Sequence, residues 1–165
     1  MPLGFWWIRK APFFGLVKPP PRTAVLMAGF RSRRPVRVFA EGWGQRSEKF
    51  APESVAATLA QWNALASAKI SLTHSMIVLE PAGEPRLTDA DRDRFWKAFE
   101  VPLFELIVGE RCELLAFECD AHDGLHIASE KLKVAPDEID ASVCGCGRTS
   151  PRVTTRARRT AAFAD

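Results

Sequence analysis

The sequence lacks the short motifs that mark the commonest hydrolases and nucleotide-hydrolysing enzymes. It contains no Gly-x-Ser-x-Gly nucleophile elbow, no Gly-x-x-x-x-Gly-Lys phosphate loop and no His-Glu-x-x-His zinc-protease helix. It also lacks a continuous apolar run of the about 20 residues that a membrane-spanning helix needs. These absences argue against a serine hydrolase, a P-loop enzyme, a metalloprotease of that type and an integral membrane protein.

What is present is the composition of one globular domain. The chain has 165 residues, of which 47% are hydrophobic and 26% are charged, and its formal net charge is +3. This length is sufficient for one hydrophobic core and short for two. We therefore expect a single α/β domain at residues 22–153, with a mixed sheet, two main helices and a Cys/His metal-binding loop region at residues 112–152.

Two segments of different composition flank this domain. Residues 1–21 form an apolar, aromatic arm that ends in three consecutive prolines, and we expect no signal peptide because Arg9 and Lys10 interrupt the apolar stretch. The alternatives for the arm are packing on the domain and anchoring at a lipid surface, of which we expect the first. Residues 154–165 form a basic tail that is either solvated or in contact with an anionic partner.

Hydrophobic periodicity predicts the main elements of the domain. One helix is expected at residues 52–67, and a second is expected after Thr88, whose side chain suits the N-cap position. The predicted buried stripe of the first helix is Val55, Leu59, Trp62 and Leu65, and that of the second is Phe95, Trp96 and Phe99. Strands are expected at residues 24–30, 35–40, 76–79, 103–108 and 113–118. This order of strands and helices is typical of a parallel α/β layer.

Cysteine and histidine concentrate late in the chain, where three of the four cysteines and two of the three histidines fall between residues 119 and 146. Thiolate and imidazole ligands favour zinc, and a tetrahedral site with four protein ligands is structural because it leaves no position for water or substrate. A disulfide inside the Cys-x-Cys turn would be strained, which favours metal binding there. We therefore expect a structural zinc ion bound by Cys119, His126, Cys144 and Cys146.

The neighbouring polar residues leave alternatives to this ligand set. His122 is the other candidate histidine, although it falls in a predicted turn and is expected to be solvated. Asp120, His122 and Asp123 are either an acid/base cluster or, as we expect, a polar turn beside the metal. Cys112 is expected to be a small buried side chain outside the site.

The run EPRLTDADRDRFWKAFEVPLFELIVGERCELLAFECDAHDGLHI, followed by CGCGRTSPRV, resembles part of the phenylacetate-CoA ligase branch of the adenylate-forming enzymes. The order and spacing of these segments agree over about half of the chain, at residues 80–153. The resemblance implies an α/β scaffold with a metal-site subdomain, and it places His126 rather than His122 in that site.

The catalytic groups of that family have no counterpart in this sequence. The family's adenylate-binding motif, Tyr-Gly-x-Ser/Thr-Glu, falls on Ile107, Val108, Gly109, Glu110 and Arg111, where none of its functional side chains is present. The phosphate loop has no counterpart upstream of this motif, and we expect no lid domain with its catalytic lysine. We therefore expect a non-catalytic, zinc-stabilised accessory or regulatory protein derived from a CoA-ligase-like scaffold, with a protein partner.

Two other functions stay open. One is a subunit or degenerate relative of such a ligase that binds an acyl or aryl acid, CoA or a nucleotide, with Arg148, Arg152 and Arg156 contacting phosphate. The other is a small zinc-containing nucleic-acid-binding module, although the irregular Cys/His spacing and the lack of aromatic residues interleaved with the basic residues near the tail lead us to expect no nucleic acid partner. Because the cysteines fit metal ligation better than disulfides, we expect a cytoplasmic location.

Overall fold

The computed structural model describes residues 22–81 and 84–154, which form one sheet with three α-helices. The helices are α1 (Gln45–Phe50), α2 (Leu59–Ala68) and α3 (Asp89–Phe99). The first five strands are β1 (Thr23–Val25), β2 (Val36–Val38), β3 (Ser54–Thr58), β4 (Ser75–Pro81) and β5 (Leu103–Val108). The last four are β6 (Leu114–Glu118), β7 (Leu125–Ile127), β8 (Ile139–Asp140) and β9 (Arg152–Val153). The predicted N-terminal arm and all of the basic tail except Thr154 lie outside the described residues.

The nine strands form a mixed sheet in the order β2-β1-β3-β4-β5-β6-β7-β9-β8. Strands β1 to β5 pair in parallel, whereas β6 to β9 pair antiparallel with their neighbours. The change of direction follows from a tight turn after β5, in which the Gly109 N–H donates to the Glu113 carbonyl at 2.9 Å. The predicted α/β fold with a mixed sheet and two main helices is confirmed.

The interior strand β4 is buried on both of its faces. Met76 and Val78 belong to an apolar cluster that includes the buried faces of α2 and α3, whereas Ile77 and Leu79 belong to a cluster on the opposite face. Such continuous apolar runs are typical of parallel strands covered on both sides. A third, smaller cluster lies under β6, β7 and β9.

The first predicted helix begins later than its apolar stripe suggested. Residues Ser54–Thr58 form β3, which pairs in parallel with both β1 and β4, so the prediction of helix from residue 52 is wrong at its start. Helix α2 begins at Leu59 because Thr58 caps it: the Thr58 hydroxyl accepts a hydrogen bond from the Gln61 N–H, and the Gln61 side chain accepts one from the Thr58 N–H. Leu59, Trp62 and Leu65 form the buried face of α2 as predicted.

Helix α3 begins as predicted but buries a narrower face. Its N-cap is Thr88, whose hydroxyl accepts a hydrogen bond from the Asp91 N–H at 3.1 Å. Phe95 and Phe99 are buried, but Trp96 is 58% exposed, so its predicted burial is wrong. Residues four apart lie on one helix face, whereas the residue next to Phe95 is rotated by about 100° around the axis, which turns Trp96 toward solvent.

The strand predictions differ in accuracy across the sheet. Strand β5 has the predicted bounds, and β2 lies inside its predicted range. The ends of β4 and β6 differ from the predicted ends by at most two residues. Strand β1 begins one residue before its predicted range and ends at Val25, so the prediction of strand as far as residue 30 is wrong. Within residues 22–81 and 84–154, no helix has the length and apolar character required to cross a bilayer.

Candidate metal centre

The antiparallel half of the sheet brings four predicted ligands together. Cys119 directly follows β6, and His126 lies in β7, where it pairs in register with Phe117 of β6. Cys144 and Cys146 lie in the connection between β8 and β9. One ligand atom from each of the four residues falls within 4.8 Å of the other three. These residues can therefore hold a metal ion.

Burial and spacing agree with a compact site. Cys119 and His126 are fully buried, Cys144 is 2% exposed and Cys146 is partly exposed. The Cys119 and Cys144 sulfurs lie 3.6 Å apart, and the Cys146 sulfur lies 3.4 Å from His126 Nε2. No disulfide links the described cysteines.

A tight turn aims the last two sulfurs at the site. The Cys144 N–H donates to the Arg148 carbonyl at 3.0 Å, and the Gly147 N–H donates back to the Cys144 carbonyl at 2.8 Å. Gly147 has a φ of 81°, a left-handed conformation that glycine adopts without the strain a side chain would add. The Cys-Gly-Cys-Gly sequence is therefore the local reason that both sulfurs face one point.

Ser150 orients the imidazole of His126. Its hydroxyl oxygen lies 2.7 Å from His126 Nδ1, which leaves Nε2 directed at the sulfur of Cys146. The ring of Phe117 stacks on the imidazole with a centroid distance of 5.2 Å and an interplanar angle of 22°. A histidine ligand held through its second nitrogen in this way is a common feature of metal sites. Ser150 was not predicted to take this role, because nothing in the sequence around it indicates that its hydroxyl would reach His126 of β7.

The environment favours the ligand forms of the histidine and of one cysteine. Burial, with the nearby positive charges of Arg148 and Arg152, lowers the pKa of His126 and so favours neutral imidazole. Burial opposes ionisation of Cys146, but hydrogen bonds from Arg148 and the neighbouring thiols outweigh it and bring the pKa of that thiol to about 7.

Cys119 behaves differently from Cys146. Burial, together with hydrogen bonding to the Cys144 and Cys146 thiols, raises the pKa of Cys119 to about 12. A thiolate at Cys119 therefore needs a nearby cation to be stable.

Arg152 closes the region behind the site. Its guanidinium is almost fully buried, pairs with Asp123 and Asp140 and also donates to the Ser142 hydroxyl at 3.1 Å. These contacts connect the turn before β7, strand β8 and the segment leading to Cys144. These two carboxylates already engage the charge of Arg152, which argues against the expected contact between Arg152 and phosphate. Arg156 lies outside the described residues.

The other candidate residues lie outside the cluster. His122 is half exposed, and its Nδ1 lies 3.1 Å from a carboxylate oxygen of Glu118. Asp123 pairs with Arg152 instead, so the acid/base alternative is not supported by a shared contact with His122. Cys112 is buried in the turn before β6, with its sulfur 3.4 Å from the Ala28 carbonyl oxygen.

A buried group of glutamates lies beside this region and was not predicted. Glu80, Glu105 and Glu118 are each no more than 2% exposed, and they lie on the adjacent strands β4, β5 and β6. Arg92 of α3 donates to Glu105 at 2.6 Å and to Glu118 at 2.9 Å. Burial and the charge of Glu105 raise the pKa of Glu80 to about 8, although the Leu87 N–H donates to its carboxylate. The only sign of this buried group in the sequence was that all three glutamates lie within apolar strands.

Together the fold and the cluster define a mixed α/β domain with three cysteines and one histidine arranged for metal binding. No family model matches the chain, and no curated protein matches it at a significant level. The function of the chain is therefore inferred from its fold and its site.

Proposed function

We propose that this chain is a non-catalytic accessory or regulatory protein on a CoA-ligase-like scaffold, stabilised by a structural zinc ion. Cys119, His126, Cys144 and Cys146 are the ligands. The single observation that carries the proposal is the buried convergence of their four ligand atoms within 4.8 Å.

The distances in the cluster support zinc. Tetrahedral zinc with Zn–S bonds of about 2.3 Å places two sulfurs about 3.8 Å apart, and a Zn–N bond of about 2.0 Å places sulfur and nitrogen about 3.5 Å apart. The corresponding separations are 3.6 Å and 3.4 Å. Three sulfurs and one imidazole suit zinc, whereas magnesium and calcium prefer oxygen ligands.

The ligand set supports a structural role for the ion. A catalytic zinc site has three protein ligands and a position for water or substrate, whereas this cluster supplies four protein ligands. The bound ion would join the end of β6, strand β7 and the loop between β8 and β9, which bury only the small apolar cluster. Because binding to the folded state stabilises that state, the metal contributes to the stability of this half of the domain.

The residues at the position of the adenylate-binding motif support the proposal that the chain has no ligase activity. Ile107 and Val108 are buried apolar residues of β5, and Gly109 begins the tight turn to β6. Glu110 and Arg111 are exposed on that turn. This segment supplies no hydroxyl for a phosphate group and closes into a hairpin. A partner-binding role is the simplest function that needs none of the missing groups.

Elemental analysis of the purified full chain tests the metal. We expect about one zinc per chain after expression in zinc-replete medium, and loss of that zinc in Cys144→Ser or Cys146→Ser. Cys112→Ser is the matched control, because Cys112 is buried outside the cluster, and it should keep its zinc. A zinc content below about 0.2 per chain in a normally folded protein would refute the proposal.

A second assay tests the non-catalytic part separately. Purified protein incubated with ATP and a panel of aryl and fatty acids should release no pyrophosphate above the level of a heat-denatured sample. Turnover that depends on the acid would overturn the non-catalytic role and leave the structural metal intact.

A further inference from the structure

A cleft rich in positive charge opens at the end of the sheet opposite the metal cluster. It lies between the β1–β2 loop, strand β2 and helix α1, and its volume is about 870 Å³. Six cationic residues line it, and no acidic residue is among its lining residues. These six residues, here called the basic cleft, are Arg22, Arg33, Arg34, Arg37, Arg46 and Lys49.

The basic cleft is separate from the metal cluster. Strands β2 and β6 are five positions apart in the sheet order. At about 4.8 Å per strand spacing, the two regions lie about 24 Å apart. A ligand in the cleft would therefore not contact the cysteine and histidine side chains.

Short contacts hold the walls of the cleft in place. Arg33 and Val36 exchange two backbone hydrogen bonds, of 2.8 and 2.6 Å, which close the loop that carries Arg34. The Arg37 guanidinium lies over the ring of Phe50, 5.3 Å from its centroid. The Phe50 ring in turn packs at 5.7 Å from that of Phe39. The Arg37 side chain and the backbone that carries Arg34 are thus held in defined positions, which lowers the entropy cost of binding an anion.

Carboxylates compensate only part of this charge. Arg22 pairs with Glu53 at 3.7 Å, and Arg46 pairs with Glu41 at 2.8 Å. In the described parts of the chain, no carboxylate forms an ion pair with Arg34, Arg37 or Lys49. Because the whole chain has a formal charge of only +3, the cleft is a local concentration of positive charge. Clustered positive charges raise the electrostatic potential in the cleft. Binding of an anion with several negative charges would neutralise them and is therefore favoured.

The size and shape of the cleft indicate the class of anion. Its volume falls within the about 300–1,000 Å³ that is usual for small-molecule sites. Single-stranded nucleic acids need exposed aromatic rings for stacking, but here Phe39 is buried and Phe50 is covered by Arg37. Clustered arginine and lysine donors suit phosphate oxygens. We propose that the basic cleft binds a small polyphosphate anion, either inorganic or carried by a nucleoside.

Calorimetric titration of the full chain with tripolyphosphate, ATP and inorganic phosphate tests this site. Tripolyphosphate and ATP should both bind saturably if the polyphosphate group is recognised, and tighter binding of ATP would identify the nucleoside form. Inorganic phosphate should bind at least about tenfold more weakly, because it forms fewer charge-assisted hydrogen bonds and each of them is worth about a factor of ten in affinity. Raising the salt concentration should weaken binding, because the lining side chains are exposed.

A pair of double variants assigns the binding to the cleft. Arg34→Ala with Lys49→Ala should weaken tripolyphosphate binding about 100-fold, since two charge-assisted hydrogen bonds are removed. Lys97→Ala with Lys133→Ala removes the same charge from exposed positions on α3 and after β7, and it should change the affinity by less than about twofold. Both variants should keep the circular dichroism spectrum and the metal content of the parent, so a failure here is distinguishable from a failure of the metal proposal.

Three outcomes would overturn the inference. The first is no saturable binding of either polyphosphate at millimolar concentration. The second is an equal loss of affinity in the two double variants, which would show a bulk charge effect. The third is tight binding of a single-stranded oligonucleotide without binding of tripolyphosphate. If the double cleft variant is unfolded, Arg37→Ala alone should still reduce the affinity at least about tenfold.

Discussion

Replacing Glu80 by glutamine should make the protein more stable at alkaline pH. Glu80 is 2% exposed, and burial with the charge of Glu105 raises its pKa to about 8, from an ordinary value of 4.5. Between these values the folded state retains a proton that the unfolded state releases. The free energy of unfolding of the parent protein should therefore fall as pH rises from about 4.5 to about 8 because of this group.

The size of the effect follows from the width of this pH window. One proton held by the folded state alone changes the free energy of unfolding by at most about 1.4 kcal/mol per pH unit. Glutamine retains the oxygen that accepts the Leu87 N–H, and it does not ionise. We expect Glu80→Gln to be within about 1 kcal/mol of the parent at pH 5.5 and more stable than the parent by about 2–4 kcal/mol at pH 8.5.

Urea unfolding at intervals between pH 5.5 and 9 measures this difference. Using the difference between parent and variant removes any pH dependence that the proposed metal would add equally to both proteins. Glu113→Gln is the matched control: a hydrogen bond from Lys131 lowers the pKa of Glu113, so that residue stays ionised across the range and its effect should not vary with pH. A constant difference between parent and Glu80→Gln across this range would refute the reasoning.

Two further substitutions test the metal site and the core. Ser150→Ala removes the hydroxyl beside His126 Nδ1 and should weaken zinc binding by about 10- to 100-fold in a competition titration with a chelator, whereas Ser150→Thr should retain most of the affinity. Trp62→Ala should lower the free energy of unfolding by about 3–5 kcal/mol, because Trp62 is fully buried and donates to the Ile77 carbonyl. Trp96→Ala, at a site that is 58% exposed, should change it by less than about 0.5 kcal/mol in the same denaturation assay. Equal effects of the two tryptophan substitutions would contradict the assigned faces of α2 and α3.

The Cys/His cluster could be predicted from the sequence because short stretches of residues indicate it. A Cys-Gly-Cys turn, a cysteine at the end of an apolar strand and a histidine in the next strand each have a chemical meaning independent of the sheet order. The choice between His122 and His126 needed more, since both lie near Cys119. It came from the family resemblance, and the pairing of β7 with β6 places His126 in the cluster.

The start of α2 could not be found from periodicity alone. Val55 and Leu59 are four residues apart and both buried, which fits a helix as well as it fits the end of one element and the start of the next. Whether Ser54–Thr58 is helix or strand depends on its two parallel neighbours, β1 and β4. Their hydrogen bonds hold this segment extended. The capping pair Thr58 and Gln61 was a usable local signal for the true start.

Polar contacts between residues far apart in the chain could not be predicted from the sequence either. Arg152 was expected to meet phosphate because it lies in a basic stretch, but its position in β9 brings it between Asp123 and Asp140. Those partners are separated from it by 29 and 12 residues. A buried guanidinium needs carboxylate partners to be stable. The order of the strands decides which carboxylates reach Arg152, and the residues next to it in the sequence do not reveal them.

The division of the sheet leads to a prediction about which half depends on metal. The parallel strands β3 and β4 lie between large apolar clusters, whereas β7, β8 and β9 have two or three residues each and share the small third cluster. Short strands with little buried apolar surface open locally at low free-energy cost. The four proposed metal ligands lie at or beside these strands, so chelation should loosen the strands first.

Hydrogen exchange measured by mass spectrometry, with and without a zinc chelator, tests this prediction. After chelation, peptides that contain the Ile127 and Cys144 amides should exchange at least about tenfold faster, because the hydrogen bonds of these amides belong to the segments joined by the ligands. Peptides from β3 and β4 should keep their protection, which serves as the internal control. Equal acceleration in both halves would mean that the sheet unfolds as one cooperative unit, and no change in β7 would mean that the ligands do not hold that strand.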